Sequence, residues 1–201
     1  MFGLPATTDI NKPLYKKTVF EKFNLKTAER DRFDADISRM ALVARISPAT
    51  VPALAEGKDI KGFYVLQVIL KHQEYHVQNI LLLQKLIPQK IVFALQYEEQ
   101  MQLCIFHTRL LQSVWLPIAD ATITLQGLTL DETWEHIVAE IGGLDTQSDQ
   151  TIEQQISTKE QQEKLLKQIE MLEKRCRVEK QTRKKYELHQ QIVKLKGQID
   201  K

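Results

Sequence analysis

The sequence is poor in cysteine and lacks any long apolar run. Two cysteines, Cys104 and Cys176, occur among 201 residues, so no disulfide framework is expected and a reducing compartment suits the chain. No uninterrupted apolar stretch approaches the roughly 20 residues that a membrane-spanning helix needs. The N-terminus also lacks the basic and apolar regions of a secretory signal. These absences predict a cytoplasmic protein with no membrane partner.

The motifs that usually carry catalysis are also missing. The seven glycines form neither a dinucleotide-binding loop nor a P-loop, and no nucleophile elbow is present. His72 and His76 are four residues apart but not in the HExxH order, and no cysteine pair has metal-binding spacing. Gln67 and Ile69 stand where a metal nuclease would place carboxylates on the central strand. We predict no catalytic residue, no metal and no cofactor; a divergent metal-dependent nuclease is the alternative.

Residues 61–117 carry the clearest fold pattern. The nearly continuous apolar run at 61–71 is typical of a central strand that is covered on both faces. Apolar residues then recur at helical spacing over 77–87, until Pro88 ends the helix. Residues 90–97, 101–111 and 114–117 follow as two strands and a short edge strand. This order predicts a parallel strand–helix–strand crossover with an antiparallel strand after it.

The stretch that precedes this segment is predicted to be mostly helical. Asp9 or Asn11 can cap a first short helix, and residues 14–38 show the apolar spacing of two amphipathic helices. Residues 40–46 are apolar and short, which favours a strand. The helices that cover the sheet are therefore predicted to precede most of its strands in the sequence.

A last helix closes the predicted domain. Asp131 or Thr129 caps it, its apolar residues recur up to Ile141, and two glycines end it. The resulting prediction is an α+β domain, residues 1–143, in which a mixed four- to five-stranded sheet has a helical cover.

The remainder of the chain is predicted to be a polar linker, 144–150, and a helical arm, 151–201. The arm contains no proline and is rich in Gln, Glu, Lys and Leu. Apolar residues alternate in steps of four and three along two short seams, which favours a coiled-coil-like arm that docks a partner helix. The seam residues are Leu165, Ile169, Leu172, Leu188, Ile192 and Leu195. Because the pattern breaks between the seams, the arm is either one long helix or a hairpin of two.

Basic residues concentrate between the two seams. The arm holds 13 Lys and Arg against 8 Asp and Glu, whereas the rest of the chain is net negative. Seven of the twelve residues at 174–185 are basic: Lys174, Arg175, Arg177, Lys180, Arg183, Lys184 and Lys185. Such side chains give salt-dependent affinity for phosphates. The segment predicts contact with a nucleic-acid backbone or an acidic protein surface; the alternative is a solvated helix turn.

Several stretches together resemble a bacterial domain-of-unknown-function (DUF) family. They are Asn11-Lys12 with Lys16-Lys17, the block from Leu86-Ile87-Pro88 to Tyr97, and Glu179-Lys180-Gln181 with Glu187-Leu188. Family members carry Phe-Asn and Asn where this chain has Thr182, Arg183 and His189. The family has no established activity. The resemblance implies genes that lie beside helicase and DNA methyltransferase genes of the type III restriction kind.

These observations predict a non-enzymatic accessory or adaptor protein, which the resemblance would place in a DNA restriction or phage-defence assembly. Its arm would dock a protein partner, and the resemblance suggests a helicase or methyltransferase subunit. Its basic segment would face DNA or an acidic surface. A homo-oligomeric structural protein that is joined through the arm is the second alternative, beside the nuclease.

Overall fold

A computed structural model of the protein describes residues 2–145 and 150–199. The chain divides into two compact units, 1–147 and 148–201. The first unit is a mixed sheet with helices, and the second is a pair of helices, which confirms the predicted α+β class with a helical segment after the sheet. Most of the predicted linker, 146–149, lies outside the described residues.

The described residues of the first unit form a sheet of seven strands. They are β1 (Asp9–Leu14), β2 (Ile37–Ile46), β3 (Phe63–Leu70), β4 (Lys90–Tyr97), β5 (Gln100–Phe106), β6 (Leu110–Gln112) and β7 (Leu116–Pro117). The order is β1-β2-β3-β4-β5-β6, and β7 also pairs with β5. The pair β3 and β4 is parallel and the other pairs are antiparallel, so the predicted crossover and the antiparallel return are both confirmed.

Among the described residues, four α-helices belong to the first unit and two to the second. They are α1 (Lys16–Phe23), α2 (Thr27–Asp36), α3 (Val77–Leu86) and α4 (Leu130–Gly142), followed by α5 (Ile152–Val178) and α6 (Thr182–Ile199). Helix α3 is the connection between the two parallel strands. The short 3-10 turn Ala6–Thr8 precedes β1.

The sheet is wider than the sequence predicted. Residues Asp9–Leu14 form β1, which pairs antiparallel with β2, so the prediction of a helix capped at Asp9 or Asn11 was wrong. Proline has no backbone N–H to donate. Pro13 is tolerated because β1 is the edge strand, and one side of an edge strand pairs with no other strand. The predicted strand 101–111 is also divided into β5 and β6, because the His107 N–H donates to the Arg109 carbonyl in a tight turn.

Both faces of the sheet are covered by helices. On one face, Leu66 lies opposite Phe93, and both belong to a core cluster that includes Phe33 of α2 and Ile80 of α3. On the other face, α4 packs its Trp134 ring edge-on against Phe63, with 5.3 Å between the ring centroids. This two-sided burial explains why the central strand sequence lacks polar alternation.

One carboxylate fastens the loop before β3 to the start of α4. Asp131 accepts backbone N–H groups from Lys58, Asp59 and Ile60 at 2.6, 3.2 and 2.8 Å. Burial alone would raise the Asp131 pKa, but these backbone donors hold it below its usual range. Asp131 is therefore not the helix cap; that role belongs to Thr129, whose Oγ1 accepts the Glu132 N–H at 3.3 Å.

Candidate nucleic-acid interface

The arm is a hairpin of two helices, which decides between the two arrangements left open by the sequence. Thr151 and Gln154 form a reciprocal capping box that begins α5. Helix α5 ends at Val178, and α6 begins at Thr182 after a connection of three residues, 179–181. The Cys176 thiol lies 3.7 Å from the Lys185 carbonyl, across the turn. The two helices therefore fold back on each other.

The turn of the hairpin gathers every residue of the predicted basic segment. We define the hairpin tip as residues 174–185. Its seven basic side chains are all exposed: Lys174, Arg175 and Arg177 at the end of α5, Lys180 in the connection, and Arg183, Lys184 and Lys185 in the first turn of α6. The basic residues of this segment thus form one exposed surface around the turn.

Most of the positive charge of the hairpin tip is not neutralised. Lys174 pairs with Glu170 at 2.7 Å, and Arg183 pairs with Glu187 at 3.3 Å. Arg175, Lys184 and Lys185 have no carboxylate within 4.0 Å among the described residues, and the same holds for Arg177 and Lys180. The tip is therefore an exposed cationic surface rather than a network of internal ion pairs.

Glu179 is the one acidic residue of the hairpin tip. Its carboxylate accepts the Gln181 N–H at 2.9 Å. This bond is the main cause that lowers the Glu179 pKa; burial opposes it, and the Lys180 N–H and the charges of Lys184 and Arg175 add to it. Glu179 thus shapes the turn between the helices as an ionised carboxylate at neutral pH.

The charges at the start of α6 run against the helix dipole. The first turn contains Arg183, Lys184 and Lys185 and no acidic residue. A helix N-terminus carries partial positive charge, so cations there are unfavourable and an anion there is stabilising. At the end of α5, by contrast, Arg175 and Arg177 have the sign that the dipole favours.

The two apolar seams lie within the hairpin. Their central residues, Ile169 and Ile192, are 5% and 6% exposed. The flanking Leu165, Leu172, Leu188 and Leu195 are half-buried. Leu172 and Leu195 line one groove of about 410 Å³ together with Met171 and the glutamines 168, 191 and 198. The seam residues pack α5 against α6, and part of the surface of the seam leucines stays exposed.

A polar cluster after β3 escaped the sequence analysis. Asp36 is 4% exposed and accepts the His76 backbone N–H at 2.7 Å and the Asn79 side-chain amide at 2.7 Å. The His76 Nδ1 atom lies 3.0 Å from the same carboxylate. The cluster joins the end of α2 to the start of α3. His76 was considered only as one of a pair with His72, because nothing local in the sequence indicates a contact with Asp36, 40 residues earlier.

A further hydrogen-bond network surrounds Tyr75, the residue before His76. The Tyr75 hydroxyl donates to Gln102 at 2.7 Å, accepts from Gln112, and lies 3.8 Å from the Cys104 thiol. Burial raises the Cys104 pKa to about 12, although the bonds to Tyr75 and Gln112 oppose the shift. A thiol with a raised pKa is a poor nucleophile at neutral pH. Cys104 is therefore a packing residue.

The described part of the chain, 2–145 and 150–199, contains no group of three or more His, Cys, Asp and Glu residues that is placed to hold a metal ion. The Lys71 N–H donates to the Asp36 backbone carbonyl at 2.8 Å, while the Asp36 carboxylate contacts His76 and Asn79. None of the helices described is long and apolar enough to cross a membrane.

The geometry defines a class: an α+β domain on a mixed sheet, followed by a helical hairpin with a basic tip. The domain-of-unknown-function model DUF4391 matches residues 2–199, and the chain belongs to that family. The match confirms the resemblance to a DUF family, while the company of helicase and methyltransferase genes stays a prediction. No curated protein and no solved structure matches the chain.

Proposed function

We propose that this protein is a non-enzymatic accessory subunit that contacts the phosphate backbone of DNA with its hairpin tip. The observation that carries the proposal is that all seven basic residues of 174–185 lie exposed around one turn. A protein gains salt-dependent affinity for DNA when each such cation replaces a counterion at a phosphate. The setting suggested by the family resemblance is a DNA restriction or phage-defence assembly.

The charge at the start of α6 favours an anionic partner over a merely solvated turn. Three adjacent cations at a helix N-terminus oppose the dipole and repel one another. Phosphates that bind there would neutralise the cations and also satisfy the free N–H groups of the first turn. The unfavourable local charge in the free protein thus becomes a favourable term in the complex.

Backbone contact suits the tip better than recognition of bases. No aromatic residue lies within 174–185. Base stacking needs aromatic faces, whereas phosphate contact needs only cations and N–H groups. The nearest aromatic side chain, Tyr186, is exposed just beyond the tip. Replacing Tyr186 by Ser should therefore change the affinity for DNA by much less than the loss of a lysine cluster.

The decisive experiment compares two triple variants of the full chain. Lys180, Lys184 and Lys185 become Gln in the tip variant; Lys164, Lys167 and Lys194 become Gln in a control with the same net charge. Binding to a labelled DNA duplex is followed by fluorescence anisotropy over a range of salt concentrations. Each phosphate contact contributes about 0.9 to the slope of log affinity against log salt, so the tip variant should lose close to three in slope.

The control variant should keep both the affinity and the salt slope of the natural protein. Equal losses in the two triple variants would mean that net charge alone draws the protein to DNA, and the proposal would fail. It would also fail if the natural protein showed no binding to the duplex at low salt. If an acidic protein is the true partner, the DNA duplex should fail to displace that protein from the chain.

The protein partner in this proposal docks on the open leucine surface of the hairpin. Support comes from the half-buried seam leucines and the groove beside Met171 and Leu195. Replacing Leu172 and Leu195 by Ser should abolish binding of the partner protein that the natural chain binds. The sheet unit should stay folded in this double variant. Sedimentation of the purified chain distinguishes binding of a different protein from self-association. Self-association would give a dimer of the natural chain and a monomer of the double variant.

A further inference from the structure

An apolar groove lies between α5 and α6, outside the hairpin tip. We call it the hairpin groove; its volume is about 410 Å³, and its apolar lining is Met171, Leu172 and Leu195. Met171 is 63% exposed and the two leucines are half-buried, so this apolar surface is open to solvent. The rest of the lining consists of three glutamines and Lys194. A groove of this kind between two helices accepts the apolar face of a third helix.

The charges that border the hairpin groove are positive on both helices. On α6, Lys194 belongs to the lining itself. On α5, Lys167 and Arg175 lie four residues before and after Met171, one helical turn away on the same face. No carboxylate is present among the described residues that line the groove. The apolar surface is therefore flanked by three cations, which we call the bordering cations.

The bordering cations are not neutralised within the hairpin. In the described part of the chain, no carboxylate lies within 4.0 Å of Lys167, Arg175 or Lys194. The carboxylates in the middle of α5 have other partners: Glu170 pairs with Lys174 at 2.7 Å, and Glu173 pairs with Lys196 at 2.9 Å. The charge beside the groove is thus available to a binding partner.

This charge discriminates between a second copy of the chain and a different protein. In a two-fold pair of identical hairpins, the same surface lies on both sides of the interface. Each copy would then bring its bordering cations to one interface, where like charges are unfavourable. A helix with acidic residues beside its apolar seam offers the opposite charge to the same surface.

We propose that the hairpin groove binds an amphipathic helix of another protein, with Asp and Glu beside its apolar seam. The apolar residues of the groove contact the seam, and the bordering cations pair with the acidic residues. This inference rests on the proposed docking of a protein partner on the hairpin, and it adds the chemistry of that partner. It does not depend on the contact between the hairpin tip and DNA.

Designed peptides that share one seam and differ in their flanking residues test this chemistry. Three peptides of about 20 residues, comparable to the 18 residues of α6, carry the same leucine seam with Glu, Gln or Lys beside it. A fourth peptide has the composition of the Glu peptide in scrambled order, so it keeps the charge and lacks the seam. Fluorescence anisotropy with the full chain measures the affinities. The Glu peptide should bind at least about tenfold more tightly than the Lys peptide, with the Gln peptide between them.

The two triple variants of the DNA experiment separate the groove from the tip. The variant with Gln at Lys164, Lys167 and Lys194 lacks two bordering cations and should bind the Glu peptide about fivefold more weakly. The tip variant keeps all three bordering cations and should keep the affinity for this peptide. Binding to the DNA duplex should show the reverse order, because only the tip variant loses the phosphate contacts.

A single substitution tests the apolar part of the groove. Met171→Ser removes an exposed side chain from the lining and should weaken the binding of the Glu peptide about tenfold. Val193→Ser is the matched control, because Val193 is 56% exposed on α6 and lies outside the lining; its affinity should not change. Circular dichroism should show equal helix content in both variants.

The outcomes distinguish this inference from the proposed docking on which it rests. Equal affinities for the Glu, Gln and Lys peptides would support docking on the groove but overturn the acidic partner. If none of the three seam peptides binds, both the docking and this inference fail. Equal binding of the scrambled peptide would reduce the effect to general charge attraction. In sedimentation, a dimer of the natural chain that Met171→Ser dissociates would place a second copy in the groove and also overturn the inference.

Discussion

The two units of the chain differ in how much side chain they bury. In the first unit, large side chains such as Phe33, Phe63 and Phe93 are completely inaccessible. Along the described parts of α5 and α6, only Ile156, Ile169 and Ile192 are buried. The hairpin therefore relies more on local terms, among them its capping box and its i,i+4 ion pairs. Its surface can change charge at little cost, which suits a surface used for binding.

A core substitution should give the largest contrast between the units. Phe93 lies in the centre of β4 and is 0% exposed, so Phe93→Ala should lower the free energy of unfolding by about 3–5 kcal/mol. Leu166→Ala removes a side chain of α5 that is 55% exposed and should change stability by about 0.5 kcal/mol or less. Chemical denaturation of both variants measures the contrast. Similar losses would mean that the hairpin surface carries packing not visible in its exposure.

A buried residue of the hairpin should affect that unit alone. Ile169→Ala removes one of the few buried side chains of α5 and should cost about 2 kcal/mol or more. Hydrogen exchange should show faster exchange of the amides of α5 and α6, with protection in β4 unchanged. Val193→Ala, at a position that is 56% exposed on α6, is the matched control and should leave exchange unaltered. Faster exchange across the whole chain would show that the units unfold together.

Two glycines give a matched pair of opposite sign, one in each unit. A Cβ atom on Gly57 would lie 2.2 Å from Asp131 Oδ1, so Gly57→Ala should destabilise the first unit by about 1–3 kcal/mol. A Cβ atom on Gly197 of α6 would meet nothing within 4 Å, so Gly197→Ala should stabilise the helix by up to about 1 kcal/mol. Thermal unfolding of the two variants measures both signs. A neutral Gly57→Ala would mean that the loop before β3 shifts freely.

Elements that depend on local periodicity were predicted from the sequence, whereas elements that depend on contacts distant in the chain were missed. The apolar run of β3, the helical spacing of α3 and the stop at Pro88 are local signals, and all three appear in the structure. The strand Asp9–Leu14 has no such signal: its exposed edge position leaves a polar sequence that is paired only through β2. In such a polar stretch, the sequence does not distinguish a residue that caps a helix from a residue of an edge strand.

The same division holds for the sites. The hairpin tip was predicted because its charges are contiguous in sequence. The polar cluster of Asp36, His76 and Asn79 was not, because Asp36 lies 40 residues before His76 in the chain. The prediction that Asp131 or Thr129 caps α4 found the helix start and the cap Thr129, but not the role of Asp131 in fastening the loop before β3. That role needs the loop 58–60, which is distant in the chain.

The smallest expected effect compares two carboxylates that accept backbone N–H groups, one in each unit. The folded-state pKa of Asp131 lies below the unfolded value of about 3.9, so its contribution to stability is present above that pH and is lost as the pH falls through the folded pKa. The melting temperature of Asp131→Asn should therefore be lower than that of the natural protein at neutral pH, and the difference should shrink in acid. Glu179→Gln is the comparison: Glu179 also has a lowered pKa, but its main bond closes only its own turn. Its difference should have the same sign and be smaller, because no distant segment is released. A difference for Asp131→Asn that grows as the pH falls would contradict the assignment of these contacts.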